Sequence, residues 1–214
     1  LLEEIEDEGE TAATALEAIL HAARALPAPG WRARLEDGKP RGPAEAFLTL
    51  VRTQVYTRSQ NKRSYSLQTE TIELVDGLLE ASIELDHALA RLAEPVRRFI
   101  KIIASQLEAP ADELDSSIRS KIEGLCRSLE RRANIPLAAW RDMLAALTHK
   151  TPPEFVDWFG VERADGHDVD IGLHRHWVDP TLPFARTVLD HAHGVVVTSA
   201  TLRDTENFES DDWS

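Results

Sequence analysis

Apolar residues recur along most of this chain at the spacing of α-helices. One amphipathic helix is predicted from Glu3 to Leu26, with Pro27 as its stop. Residues 27–43 carry glycines, prolines and charges without periodicity, and this stretch is predicted to be a loop. A long apolar stripe from Leu67 to Leu107 predicts a second helical region, which Pro95 is expected to kink or divide.

A further apolar stripe predicts that two helices pack together. Its members follow one another at intervals of four, four, three and four residues: Leu114, Ile118, Ile122, Leu125 and Leu129. Neither helix could bury its stripe alone, so we expect this segment to pack antiparallel against the preceding one as an elongated helical hairpin. Cys126 falls within the stripe as a small core residue. Another helix is predicted from Pro136, which suits a first helical turn, and it ends before Pro152.

The pattern changes from helical to alternating after Glu154. Aromatic and β-branched residues fill 155–161, a turn follows at Ala164-Asp165-Gly166, and apolar and polar residues then alternate from Val169 to Leu173, which predicts a β-hairpin. A short helix around Phe184 should lead into a buried strand, Val195–Val197. The predicted fold class is therefore mainly α, with a small β portion made of the hairpin and one buried strand.

Composition excludes some classes of protein. The 214 residues carry a net charge of −13, so the surface as a whole would repel a polyanion, although a local basic cluster could still bind one. No apolar run approaches the roughly 20 residues that cross a bilayer, and we expect no membrane association. One cysteine excludes an internal disulfide and the four-thiolate ligand set of an iron–sulfur cluster. The chain begins with Leu1 and its only methionine is Met143, so we expect a piece of a longer polypeptide.

One segment reverses the acidic character of the chain. Residues 46–69 contain no Asp or Glu, and cations there alternate with aromatic side chains. The candidate contacts to single-stranded DNA in this basic segment are Arg52, Tyr56, Arg58, Lys62, Arg63 and Tyr65. Cations for phosphates and aromatic faces for bases are what such binding requires. The alternative is a solvated helix end whose arginines pair with acids elsewhere in the chain.

The predicted strand near the C-terminus ends in small hydroxyl residues. The sequence Val195-Val-Val-Thr-Ser-Ala-Thr-Leu202 resembles the Ser-Ala-Thr motif of superfamily 2 helicases, and most of all that of the DinG/XPD branch. In that family the motif links the nucleotide site to the DNA track. The resemblance therefore implies a coupling role for Thr198, Ser199, Ala200 and Thr201.

The resemblance also implies an arrangement for the rest of the chain. Residues 1–153 would be an Arch-like helical domain, and 154–214 the β-containing edge of a first RecA-like motor domain with an acidic tail. The parent would be a cytoplasmic ATP-dependent DNA helicase of DNA repair, with single-stranded DNA and the remaining motor domains as partners. ATP and magnesium would bind to that parent, and any iron–sulfur cluster would lie outside this segment.

The sequence lacks the motifs with which motors bind nucleotide. It has no Gly-x-x-x-x-Gly-Lys-Ser/Thr loop and no Asp-Glu-Ala-His box, so the segment alone is expected to bind no cofactor and to hydrolyse no ATP. A stand-alone helical protein-interaction domain is the main alternative. A metal-dependent enzyme is a third, although no metal site is predicted, because no cysteine or matching spacing completes a set with the histidines of the C-terminal part, His167, His174, His176, His191 and His193.

Overall fold

The computed structural model of this chain describes residues 5–7, 9–59, 65–108, 115–196 and 198. Within these ranges the helices are α1 Ala12–Ala22, α2 Trp31–Glu36, α3 Gly42–Arg58, α4 Leu78–Ser105, α5 Ser116–Leu129, α6 Ile135–Thr148 and α7 Thr181–Thr187. The strands are β1 Glu6–Asp7, β2 Glu10–Thr11, β3 Ser66–Glu70, β4 Phe155–Ala164 and β5 His167–Trp177. The last three form an antiparallel sheet in the order β3-β4-β5. The predicted fold class, mainly α with a small β portion, is confirmed.

Helix α4 is the element on which the other helices of the first compact unit, Leu1–His176, pack. Helices α1, α3, α5 and α6 all contact it. Its buried side chains continue the predicted stripe: Leu85, Leu89, Leu92, Val96, Phe99 and Ile103. The prediction was that Pro95 kinks or divides this region; the helix runs through Pro95 to Ser105, so Pro95 does not divide it, and the kink stays a prediction. Burial of the apolar stripe on both sides outweighs the roughly 3 kcal/mol that an internal proline costs.

The β-hairpin is confirmed, and it has a third strand that the sequence pattern did not indicate. Asp165 and Gly166 join β4 to β5 with φ values of 51° and 83°, as a type I′ turn requires. Strand β3 pairs antiparallel with β4 and places Leu67 opposite Val161. Leu67 was predicted to begin a helix, and this part of the prediction is wrong. A partner strand distant in sequence decides its conformation, which local spacing cannot indicate.

The sheet and the helices share one hydrophobic core. Phe159 and Val161 of β4 are fully buried against Phe47 and Val51 of α3. The rings of Phe47 and Phe159 meet edge to face, with centroids 6.4 Å apart. The predicted domain boundary lies between residues 153 and 154, whereas contacts in the structure keep 154–176 in the same unit as the helices.

The N-terminal part differs in detail from its prediction. Helix α1 begins after Thr11, whose hydroxyl caps it by accepting from the Thr14 N–H, and a 3-10 turn, Ala23–Ala25, follows it. The preceding residues form the β1–β2 pair instead of the helix predicted from Glu3. The predicted loop 27–43 contains α2, because Glu45 accepts hydrogen bonds from the Ala28 N–H and from the Arg34 guanidinium and so orders the segment.

Helices α5 and α6 are joined by a π-helical segment, Glu130–Asn134. Pro136 is the second residue of α6. It lacks an N–H and its ring would clash with the carbonyl four residues earlier, within the π-helical segment, where a widened turn relieves that clash. The predicted α4–α5 packing is present, and among the described residues of α5 only Cys126 and Leu129 pack against the core cluster that includes Phe99. Leu114, the first member of the predicted stripe, lies outside the described residues. Ile118 and Leu125 are 48% and 43% exposed.

The second compact unit begins at Trp177. It contains α7 and a 3-10 turn, Leu189–His191, close to the short helix predicted around Phe184. Val195 and Val196 belong to no strand, and Val196 is 88% exposed. The predicted buried strand is therefore wrong for these two residues, because no described strand pairs with them. Val197 lies outside the described residues.

No helix in the described part of the chain combines the length and the apolar character needed to cross a membrane.

Candidate nucleic-acid interface

Helix α3 carries two residues of the basic segment on one face. Arg52 and Tyr56 are four positions apart, one helical turn, and both reach Asp168 of β5. The Arg52 Nε–H donates to Asp168 Oδ2 at 2.6 Å, and the Tyr56 hydroxyl donates to Oδ1 at 2.6 Å. Arg163 Nε of β4 lies 3.5 Å from Oδ1. These contacts join α3 to the sheet through one carboxylate.

Asp168 is 5% exposed and therefore buried. A buried carboxylate requires charged or hydrogen-bonding partners, and here two arginines and a phenol supply them. Burial, followed by the contact with Asp168, raises the pKa of Tyr56, so its hydroxyl keeps its proton and remains a donor at neutral pH. Arg52 thus pairs with an acid that is distant in sequence, as the alternative interpretation of this segment expects.

The ring of Tyr56 is also occupied. The guanidinium carbon of Arg52 lies 4.7 Å from its centroid, and that of Arg163 lies 5.9 Å away. Both distances fall within the range of cation–π attraction. A nucleobase could stack on this ring only after displacing a guanidinium that is itself held by Asp168.

The side chain of Arg58, at the end of α3, is also bound by other residues of the chain. Its guanidinium donates to the carbonyl oxygen of Ile72 at 2.7 Å and to that of Glu73. Glu73 has a φ of 50°, a left-handed conformation that is uncommon for a residue other than glycine. Arg58 therefore holds the turn between β3 and α4.

The outer part of the basic segment is different. Tyr65 is 81% exposed, and its ring is open to a ligand. Lys62 and Arg63 lie outside the described residues. In the Ser-Ala-Thr motif Thr198 is exposed, and Ser199, Ala200 and Thr201 also fall outside the described part of the chain.

Two of the candidate metal-binding histidines pack against an aromatic ring. His174 and His176 both contact Trp158 of β4, stacked at 5.3 Å and edge-on at 4.8 Å between ring centroids. His174 also covers Gly160, where a Cβ atom would come within 2.9 Å of its Nε2. Among the described residues no group of three or more His, Cys, Asp or Glu is placed to hold a metal ion.

A second cationic region was missed by the sequence reasoning. A groove of about 640 Å³ lies between α4 and the end of α1 with its 3-10 turn. Its polar lining contains three arginines, one histidine and one acid: Arg24, Arg91, Arg98, His21 and Glu94. We call it the α1–α4 groove. The available signal was the spacing of Arg91 and Arg98, which lie seven residues apart and so on one side of an amphipathic helix.

No protein-family model, no curated protein and no solved structure matches this chain.

Proposed function

We propose that this chain is the Arch-like helical part of an ATP-dependent DNA helicase of the DinG/XPD branch, together with the motif-bearing edge of its first motor domain. The observation that carries the proposal is the order of elements before the Val195–Leu202 motif. A mainly helical unit comes first, the β4–β5 hairpin follows, and Trp177-Val-Asp-Pro180 leads towards the motif. The mainly α fold with its small antiparallel sheet supports this order.

In this proposal the helical unit guides or clamps single-stranded DNA while motor domains hydrolyse ATP with magnesium in the cytoplasm. Within the basic segment, Tyr65, Lys62 and Arg63 contact DNA, because Tyr65 presents an exposed ring and its neighbours add positive charge. Arg52, Tyr56 and Arg58 hold the sheet and the β3–α4 turn in place. Thr198, Ser199, Ala200 and Thr201 couple the nucleotide site to the DNA track.

The exposed valines support the role given to the motif. Val195 and Val196 are β-branched residues that favour strands, yet both are solvent-exposed. Pairing within the parallel sheet of a motor domain would bury them.

The coding sequence on both sides of this segment tests the proposal directly. A phosphate loop and an Asp-Glu-Ala-His box upstream, with a second motor domain downstream, would support it. The polypeptide so defined should then show ATPase activity stimulated by single-stranded DNA. Coding sequence without a nucleotide-binding loop would end the helicase proposal.

A protein-interaction domain is the second candidate function, and one observation favours it. Several large apolar side chains of α5 and α6 remain 43–54% exposed: Ile118, Leu125, Ile135 and Trp140. Such a surface is typical of helices that bind other helices. Sedimentation velocity at several protein concentrations would show a dimer or larger species under this alternative, and a monomer at all concentrations would count against self-association through this surface.

A further inference from the structure

The lining of the α1–α4 groove combines three arginines and a histidine with small apolar side chains. His21 of α1 and Arg24 of the following 3-10 turn stand on one side, and Arg91 and Arg98 of α4 on the other. Alanines and prolines fill the remaining lining: Ala18, Ala22, Ala25, Pro43, Ala88 and Pro95. Because these apolar side chains are short, a ligand can approach the backbone of the groove closely.

The cations of this groove differ in their partners. Arg98 pairs with Glu10 at 3.2 Å. Arg24 and Arg91 are exposed, and within the described part of the chain neither guanidinium has an ion-pair or hydrogen-bond partner. Among the described residues of the lining Glu94 is the one acid, and Arg97 holds its carboxylate at 2.7 Å, which lowers the pKa of Glu94. The groove is therefore locally positive on a chain whose net charge is −13.

We propose that the α1–α4 groove binds successive phosphate groups of single-stranded nucleic acid. The inference rests on the proposed helicase function, because it assigns part of the path of the DNA strand. Arginine presents a planar fork of donors that matches phosphate oxygens, and no described residue occupies the forks of Arg24 and Arg91. Arg91 and Arg98 lie seven residues apart on α4, about 10 Å along the helix axis, which suits separate phosphates of one strand better than one small anion.

Groove cations also explain how an acidic chain could take up a polyanion. Charges are screened beyond about 8 Å at physiological salt, so the strand responds to the cations in its immediate neighbourhood. Each phosphate that an arginine neutralises releases condensed counterions, and this release makes the affinity depend on salt concentration.

Fluorescence anisotropy of a labelled oligothymidylate, measured over a series of salt concentrations, tests the inference. The variant Arg24→Gln/Arg91→Gln should bind roughly tenfold more weakly at low salt, and its log–log salt slope should fall by about 1.4, since each lost contact to a single strand removes about 0.7. Arg24→Lys/Arg91→Lys keeps both charges and should retain most of the slope.

The matched control is Arg131→Gln/Arg132→Gln. Both arginines are exposed in the π-helical segment, and the change removes the same charge away from the groove. Its affinity should stay within about twofold of the parent. Circular-dichroism melting should show all variants folded, because Arg24 and Arg91 are exposed and have no partner to lose within the described residues.

Three results would overturn the inference. The groove variant could keep the parental slope, the control could lose as much affinity as the groove variant, or the parent could bind no oligothymidylate. Competition with pyrophosphate distinguishes a nucleic-acid strand from a small anion as the ligand of the groove. Added pyrophosphate should leave the labelled strand bound. Displacement of the strand at pyrophosphate concentrations far below those of the salt would contradict strand binding. The helicase proposal is judged separately, by the flanking coding sequence, so the two can fail independently.

Discussion

Arginines occupy opposite situations in two regions of this molecule. On α3, Arg52 is bound to the buried Asp168, and Arg58 donates to two backbone carbonyls. In the α1–α4 groove, Arg24 and Arg91 have no partner for their guanidinium groups among the described residues. The first region has the composition typical of nucleic-acid binding, and the second has cations that are available for it. Composition alone does not distinguish the two regions. They differ because the fold places a carboxylate next to Arg52, whereas no described carboxylate binds Arg24 or Arg91.

Pairing with buried carboxylates recurs through the first compact unit. Glu45 accepts from Arg34, and Asp157 accepts two hydrogen bonds from Arg175, each at 2.7 Å. These acids are buried, so replacing one leaves its arginine without a counter-charge. The resulting loss of stability exceeds the stability that the intact pair contributes. The comparison thus predicts stability effects in one region and binding effects in the other.

The largest effect is expected for Asp168→Asn. This change removes the negative charge that holds Arg52 and Tyr56 to the sheet, and it should lower the free energy of unfolding by about 3–5 kcal/mol. Urea denaturation at neutral pH measures it. Asp170→Asn, on the same strand but exposed, is the control and should change stability by less than about 1 kcal/mol. Equal stability of the two variants would mean that Asp168 does not hold Arg52 and Tyr56 to the sheet.

The next effect concerns Glu45 and depends on pH. Hydrogen bonds from Arg34 lower the pKa of Glu45 from 4.5 to about 2. Its contribution to stability is therefore complete above pH 4.5 and is lost as the pH falls towards 2. Glu45→Gln should lower the free energy of unfolding by about 2–3 kcal/mol at neutral pH, since the guanidinium of Arg34 then loses the carboxylate that balances its charge.

Denaturation at several pH values checks this prediction. The difference between parent and Glu45→Gln should shrink as the pH is lowered through the interval from 4.5 to about 2. Glu36→Gln changes an exposed acid of α2 and should show no such pH-dependent difference from the parent. A constant difference for Glu45→Gln over that interval would contradict the low pKa of Glu45.

The smallest effects separate the two tyrosines of the basic segment. Tyr56→Phe loses a hydrogen bond to a carboxylate and should cost about 1.5 kcal/mol of stability without weakening oligothymidylate binding. Tyr65→Ala removes an exposed ring and should weaken binding by about 1 kcal/mol, roughly fivefold, without a change in melting temperature. Tyr65→Phe keeps the ring and should bind like the parent. The reverse assignment of effects would show that Tyr56 is the stacking residue.

The sequence predicted what local pattern determines. Apolar spacing indicated the stripe of α4, and Asp165-Gly166 indicated the turn of the hairpin. It failed where distant residues decide: Leu67 lies in a strand because β4 pairs with it. The sequence also did not indicate that Asp168 would bind Arg52 and Tyr56.

The candidate site was predictable only as a set of residue types. The absence of acids from 46–69 drew attention to the arginines of α3, although the carboxylate that binds Arg52 lies more than a hundred positions away in sequence. Arg24 stands among alanines and other apolar residues and gave no local signal, whereas Arg91 was indicated only by its seven-residue spacing from Arg98. Their joint position at one groove follows from the packing of α1 on α4, which the sequence pattern did not specify.

The difference between the bound arginines of the first region and the available arginines of the α1–α4 groove can be measured most directly by nuclear magnetic resonance. The arginine Nε–H spectrum of the isotope-labelled chain would be recorded with and without oligothymidylate. The account predicts slowly exchanging Nε–H signals for Arg34 and Arg52, unchanged by the strand, because carboxylates hold both groups. The signals of Arg24 and Arg91 should shift or become protected when the strand is added. A spectrum in which Arg52 responds to the strand while Arg24 and Arg91 do not would contradict the account.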